Sequence, residues 1–120
     1  EAARVMADNK IGGLPVLDGD QLVGIITETD VFKILAELLG ARTPGLRVTL
    51  RVHQGKGVLA KLSQALSSLG ANIISFATYA GETPDRPLLM LKVSDIDPAS
   101  VRSALADLDV EIKDFRVQQS

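Results

Sequence analysis

Cysteine is absent from these 120 residues, which excludes disulfides, zinc knuckles and thiol nucleophiles. One histidine is present, His53. With no second imidazole or thiolate to share a metal, it reads as a solvated strand residue. Aromatic residues make up 3% of the chain, a thin supply for a nucleic-acid stacking platform. The net charge of −2 also opposes general binding to a phosphate backbone. No apolar run approaches the ~20 residues that span a bilayer, and no signal peptide is visible. The expectation is a cytoplasmic protein with no membrane partner. Ser63, Ser67 and Ser68 have no histidine to activate them, and Asp95 and Asp97 flank a helix start as caps, not as an acid–base pair. Arg47 and Arg51 share a strand face, but two arginines do not make a phosphate site. The residues point away from an enzyme.

What is present is enough to fold. Hydrophobic residues account for 46% of the chain, which suits one or two small domains with cores. The most informative stretch is Gly24-Ile25-Ile26-Thr27-Glu28-Thr29-Asp30, a strand that turns into a helix. Thr27 is a good N-cap, and Asp30 lies three residues on, where its carboxylate can reach back in a variant of the capping box. The same junction presents backbone N–H groups and a partial positive charge to any phosphate-bearing ligand. A well-capped helix and a nucleotide pocket are both open readings. Ahead of the junction, Asp18-Gly19 between two apolar runs predicts a hairpin. After it, Val31, Ile34, Leu35, Leu38 and Leu39 form a helical stripe that ends at Gly40. Ala41-Arg42-Thr43-Pro44-Gly45 then breaks the periodicity as a linker.

Beyond residue 45 the pattern becomes β-α-β-β-α-β. Leu46, Val48, Leu50 and Val52 alternate with polar residues as a half-buried strand. Val58, Leu59, Leu62, Ala65, Leu66 and Leu69 make a helical stripe closed by Gly70. Asn72 to Tyr79 is a second strand, with Ile74 and Phe76 on one face and Ile73 on the other. Gly81 to Asp85 turns into a third strand over Leu88 to Val93. Asp97-Pro98 opens a capped helix, and Val110 to Val117 closes the unit with a slip in alternation near Asp114. Gly57 allows a ligand close to the backbone at a helix N-terminus, whose dipole suits a carboxylate. Asn72 can both donate and accept hydrogen bonds. A tight turn at Gln54 and Gly57, with Asn72 satisfying the turn after Gly70, explains the same residues without a ligand.

Two resemblances organise these elements. Residues 1–40 resemble the second half of a CBS domain, on Leu14-Pro15-Val16 followed by Gly24-Ile25-Ile26-Thr27 and Asp30. The opening strand of a complete CBS domain is missing, so the chain reads as a fragment of a longer protein. Residues 46–117 resemble an ACT domain, on Gln54-Gly55-Lys56-Gly57-Val58-Leu59 and Leu69-Gly70-Ala71-Asn72-Ile73, with 41–45 as the linker. The expected fold is α+β: a partial CBS unit (α-β-β-α), then a ferredoxin-like βαββαβ domain. The CBS resemblance implies an adenine nucleotide (AMP, ATP or adenosyl class) held by Leu14, Pro15, Thr27 and Asp30, with Thr27 near phosphate and Asp30 at the ribose hydroxyls. The ACT resemblance implies an amino acid held by Gln54, Gly55, Gly57, Val58, Leu59 and Asn72 at a homodimer interface. No cofactor is implied. The pairing resembles the acetoin-utilisation B type of regulatory protein. Two rivals share the βαββαβ pattern. An RNA-binding module needs aromatics on both central strands, whereas Phe76 and Tyr79 lie on the second alone. An acylphosphatase-like enzyme needs an arginine in the loop that here reads Gln54-Gly55-Lys56-Gly57.

Overall fold

The computed structural model describes residues 1–53, 57–80 and 86–119. The chain divides into two compact units between Leu38 and Leu39.

The first unit begins with α1 (Ala2–Asn9), continues through β1 (Gly13–Asp18) and β2 (Gln21–Thr27), and ends in α2 (Glu28–Leu38). The two strands pair as the expected antiparallel hairpin, with Asp18 opposite Gln21. Its burial is slight, for only Met6 of α1 is buried. The α2 stripe forms as a helix but lies largely open, with Ile34, Leu35 and Leu38 all exposed.

The second unit runs β3 (Gly45–Val52), α3 (Val58–Ser68), β4 (Asn72–Tyr79), β5 (Leu88–Ser94), α4 (Pro98–Ala106), β6 (Val110–Gln118). Its four strands are ordered β4-β5-β3-β6, and every neighbouring pair is antiparallel. This is the ferredoxin-like βαββαβ arrangement. Leu46, Val48, Leu50 and Val52 of β3 and Leu89, Leu91 and Val93 of β5 are buried. They form one core with Leu62 and Leu66 of α3 and Val101 and Leu105 of α4. The spacing explains the choice: residues two apart share a strand face, and residues four apart share a helix face. Each such Leu or Val contributes ~1.5–3 kcal/mol relative to exposure. A Schellman-type turn ends α3, where Gly70 and Ala71 donate to the carbonyls of Ser67 (3.0 Å) and Leu66 (3.1 Å).

Three sequence expectations need correction. Ile74 does not share a face with Phe76, because the β4–β5 register shifts between Ile73 and Ser75. Phe76 packs on the core, while Ile74 lies against Gly40, 2.7 Å from where a Cβ there would stand. Asp97 holds the N-cap position of α4, but its carboxylate makes no cap bond to the backbone; it accepts from the Ser100 hydroxyl at 3.4 Å instead. Residues 41–45 are not a free linker, since Gly45 opens β3 and the chain from Leu39 onward packs with the second unit. Ser75, Lys92 and Gln118, from three strands, donate to the carbonyls of Leu39, Gly40 and Ala41 in turn. The slip anticipated near Asp114 is present: Thr49 pairs with Asp114 and Leu50 with Ile112, leaving Lys113 as the extra residue.

Candidate functional site

At the end of β2 the local sequence builds a closed capping box. The Thr27 amide (2.8 Å) and hydroxyl (2.9 Å) both donate to Asp30 Oδ2. The Asp30 amide donates back to Thr27 Oγ1 at 3.3 Å. Bonds from the Thr27 backbone and then its hydroxyl hold the Asp30 carboxyl below its ordinary range, because both favour the anion. The Glu28 amide is also engaged, donating to Gly12 at 3.0 Å. A hydroxyl has one proton to give. While the box is closed, Thr27 can accept from a ligand but cannot donate to a phosphate. Asp30 Oδ1 remains for a ligand donor.

Leu14 and Pro15 sit on β1 opposite Ile26 and Ile25, and Gly13 sits opposite Thr27. Alternation then puts Pro15 on the same sheet face as Thr27 and Leu14 on the other. A cavity of about 290 Å³ runs between α1 and α2, lined by Met6, Glu28, Val31, Phe32 and Leu35 among others. None of Leu14, Pro15, Thr27 and Asp30 lines it.

In the second unit, Gln54 and Gly55 lie outside the described residues. Gly57 is the N-cap of α3, with φ of 78°, and a Cβ there would meet nothing within 4 Å. No described side chain caps this helix. Lys61 donates to the Gly57 carbonyl at 3.1 Å, so the amides of Val58, Leu59 and Ala60 precede the helical ladder and point toward the helix entrance. Val58 and Leu59 line a cavity of about 230 Å³ together with Val52, Phe76 and Thr78. Pro87, Leu88 and Leu89, at the start of β5, complete its wall.

Asn72 does not join this group. It opposes Ser94, whereas Tyr79 opposes Leu88, so Asn72 occupies the far end of β4. Six residues of strand separate it from Thr78, roughly 20 Å at 3.3 Å per residue. Its amide donates to the Ser94 hydroxyl at 3.3 Å. Within one chain, then, Asn72 does not stand beside Val58 and Leu59. Sequence reading missed Val52, Phe76, Thr78 and Leu89 as partners of Val58 and Leu59. Their inward alternation was visible, but the end of the sheet they share depends on cross-strand register. Among the described residues no group of three or more His, Asp or Glu could hold a metal ion, and no helix is long and apolar enough to cross a membrane.

Residues 1–37 match the family model of the CBS domain. Residues 44–116 match that of the TTHA0829-like ACT domain. CBS and ACT domains are typical of regulatory, ligand-sensing modules and not of catalytic ones. With more than half of its length in the second match, the chain belongs to the TTHA0829-like ACT domain family and carries CBS-domain sequence ahead of it.

Proposed function

We propose that this chain is a non-catalytic sensor whose ACT unit binds an amino acid and whose CBS part contributes to an adenine-nucleotide site. The observation that carries the first half is the start of α3, which no described side chain caps, beside a cavity. Amides at a helix entrance suit a carboxylate, and the cavity next to them suits the remainder of a small molecule. Binding would act by linkage, shifting assembly only as far as the ligand prefers one arrangement. A homodimer is the simplest such assembly, and Asn72 would reach a ligand only from a partner subunit. The pairing of domains supports a role like that of acetoin-utilisation B type proteins.

Thermal unfolding of this chain against single amino acids tests the reading. A ligand specific for the folded state raises the midpoint by mass action. A flat response to every amino acid would remove the proposal. For the nucleotide half, Thr27→Ala and Asp30→Ala are compared with the parent by calorimetric titration of AMP and ATP in a protein with a complete CBS pair. Weaker binding in both supports the pocket, whereas unchanged affinity with lowered stability assigns the two residues to capping alone.

A further inference from the structure

We infer that the chain just past α2 is a releasable tether: the second unit latches Leu39, Gly40 and Ala41 onto its sheet, and opening the latch turns residues 39–44 into a flexible linker. The inference goes beyond the sensor reading above and needs no ligand in either unit. The grip is made by side chains of three strands on three successive carbonyls. Ser75 of β4 donates to Leu39 at 3.2 Å, Lys92 of β5 to Gly40, and Gln118 of β6 to Ala41 at 3.1 Å. Shape adds to it. Gly40 is buried, with φ of 64°. A Cβ there would stand 2.7 Å from Ile74 Cγ2 and 3.4 Å from Lys92 Cδ, so the segment fits because this residue has no side chain.

Two features make this grip a latch and not a weld. The bonds interlock, because Gln118 Oε1 also accepts from Lys92 at 3.2 Å. One side chain thus holds Ala41 and satisfies the ammonium that holds Gly40. If Gln118 leaves, Lys92, only 2% exposed, keeps Gly40 as its sole acceptor among the described residues. An ammonium has N–H groups to spare for more than that, so the bonds are lost together. The closed state is also costly. Burial strips Lys92 of water, and a second cation, Arg47, is its cross-strand partner; release returns water to the ammonium. Opening is opposed by the bonds and favoured by hydration, which keeps both states within reach. Closed, the chain passes from α2, ending at Leu38, straight into the second unit, which begins at Leu39. Open, the segment from Leu39 to Pro44 is free up to the start of β3 at Gly45, a reach of about 20 Å at ~3.3–3.6 Å per residue. The latch therefore sets the length of free chain between the two units.

Trypsin reads the latch at Arg42, which is exposed but lies between the gripped carbonyls and β3. A protease needs several residues drawn out around the bond it cuts, so cleavage there reports the open fraction. The chain should be cut after Arg42 on the order of a hundredfold more slowly than a synthetic peptide of residues 37–47. Gly40→Ala, which clashes with Ile74, and Gln118→Ala, which removes one donor and one acceptor, should each speed that cut by about tenfold or more. Cuts after Arg47, Arg51 and Lys61, inside β3 and α3, should keep their parent rates, which separates release from unfolding. Adding Ile74→Ala to Gly40→Ala should restore part of the protection by removing the atom that the new Cβ meets. Parent cleavage at Arg42 as fast as that of the peptide overturns the inference, as do variants that leave the rate unchanged. A rise at every site together also overturns it, because the segment then opens only with the whole unit.

Discussion

Lys92 carries a cation where the sheet leaves it almost no water, at 2% exposure in the middle of β5. Its ammonium donates to the Gly40 carbonyl and, at 3.2 Å, to Gln118 Oε1. Arg47 is its cross-strand neighbour, and Arg116 follows on β6. Desolvation first, and the Arg47 charge second, hold the Lys92 pKa below its ordinary 10.5. The folded state therefore releases this proton before the unfolded state does. Stability should rise with pH from the lowered value up to about 10.5, because the unfolded chain binds more protons across that window. Lys92→Met should lack this rise, which urea unfolding at several alkaline pH values measures; parallel curves for the two proteins would contradict it. Asp30 runs the other way. Its carboxyl is depressed in the fold, so its contribution is full above an ordinary pH of 3.8 and is lost as pH falls through the depressed value. In Asp30→Asn the acid-side loss from this site should vanish, read as the pH dependence of unfolding below pH 4. The two residues differ in legibility. The Thr27–Asp30 box is a contact between residues three apart and follows from local spacing, whereas the burial of Lys92 depends on the segment from Leu39 to Ala41 crossing its end of the sheet.

Strands and helices were legible almost end to end, since each announces its own period: alternation over β3, and spacings of three and four over α3 and α4. What alternation hid were the places where it breaks. Ile74 is an extra residue in β4, and a one-residue shift moves every side chain after it to the other face. Strand order was equally hidden, because no local pattern says that β3 lies between β5 and β6. Two glycines in the second unit separate the reasons for having one. A Cβ on Gly45 would stand 2.6 Å from the Val93 carbonyl oxygen, a backbone atom that cannot step aside. Gly45→Ala should therefore push β3 from β5 and lower stability by ~1–3 kcal/mol, as overpacking does. At Gly57 a Cβ meets nothing, but φ is 78°. Gly57→Ala should lose only the ~1 kcal/mol or so of a left-handed non-glycine residue. Denaturant midpoints for the pair decide it; a Gly57→Ala loss equal to or above that of Gly45→Ala would reverse the assignment of strain.

The two units differ in how far they can stand alone. Eleven residues form the buried core of the second, and one, Met6, is buried in the first. Fewer than ~40 residues rarely fold without help, so residues 39–120 expressed alone should unfold cooperatively, and residues 1–38 alone should not. Circular dichroism melts of the two fragments check this. The two edges of the sheet differ in how open they are to a second copy. Its edges are β4 and β6. Along β6, Glu111, Lys113, Asp114 and Arg116 put charge on the edge, and the extra Lys113 kinks it, both common guards against pairing. Along β4, Asn72–Tyr79, there is no charge at all, and Ile73 and Tyr79 are exposed. If two copies join there, a two-fold axis would bring the same strand from both subunits together. Ile73→Lys adds one charge to that edge at a position 40% exposed, so it should shift the equilibrium toward monomer without unfolding the unit. Sedimentation across a concentration series measures the shift, with and without single amino acids. Coupling predicts that dilution weakens amino-acid binding and dimerisation together, and that Ile73→Lys does the same at fixed concentration. A parent chain that stays monomeric at high concentration, whatever is added, would rule the arrangement out.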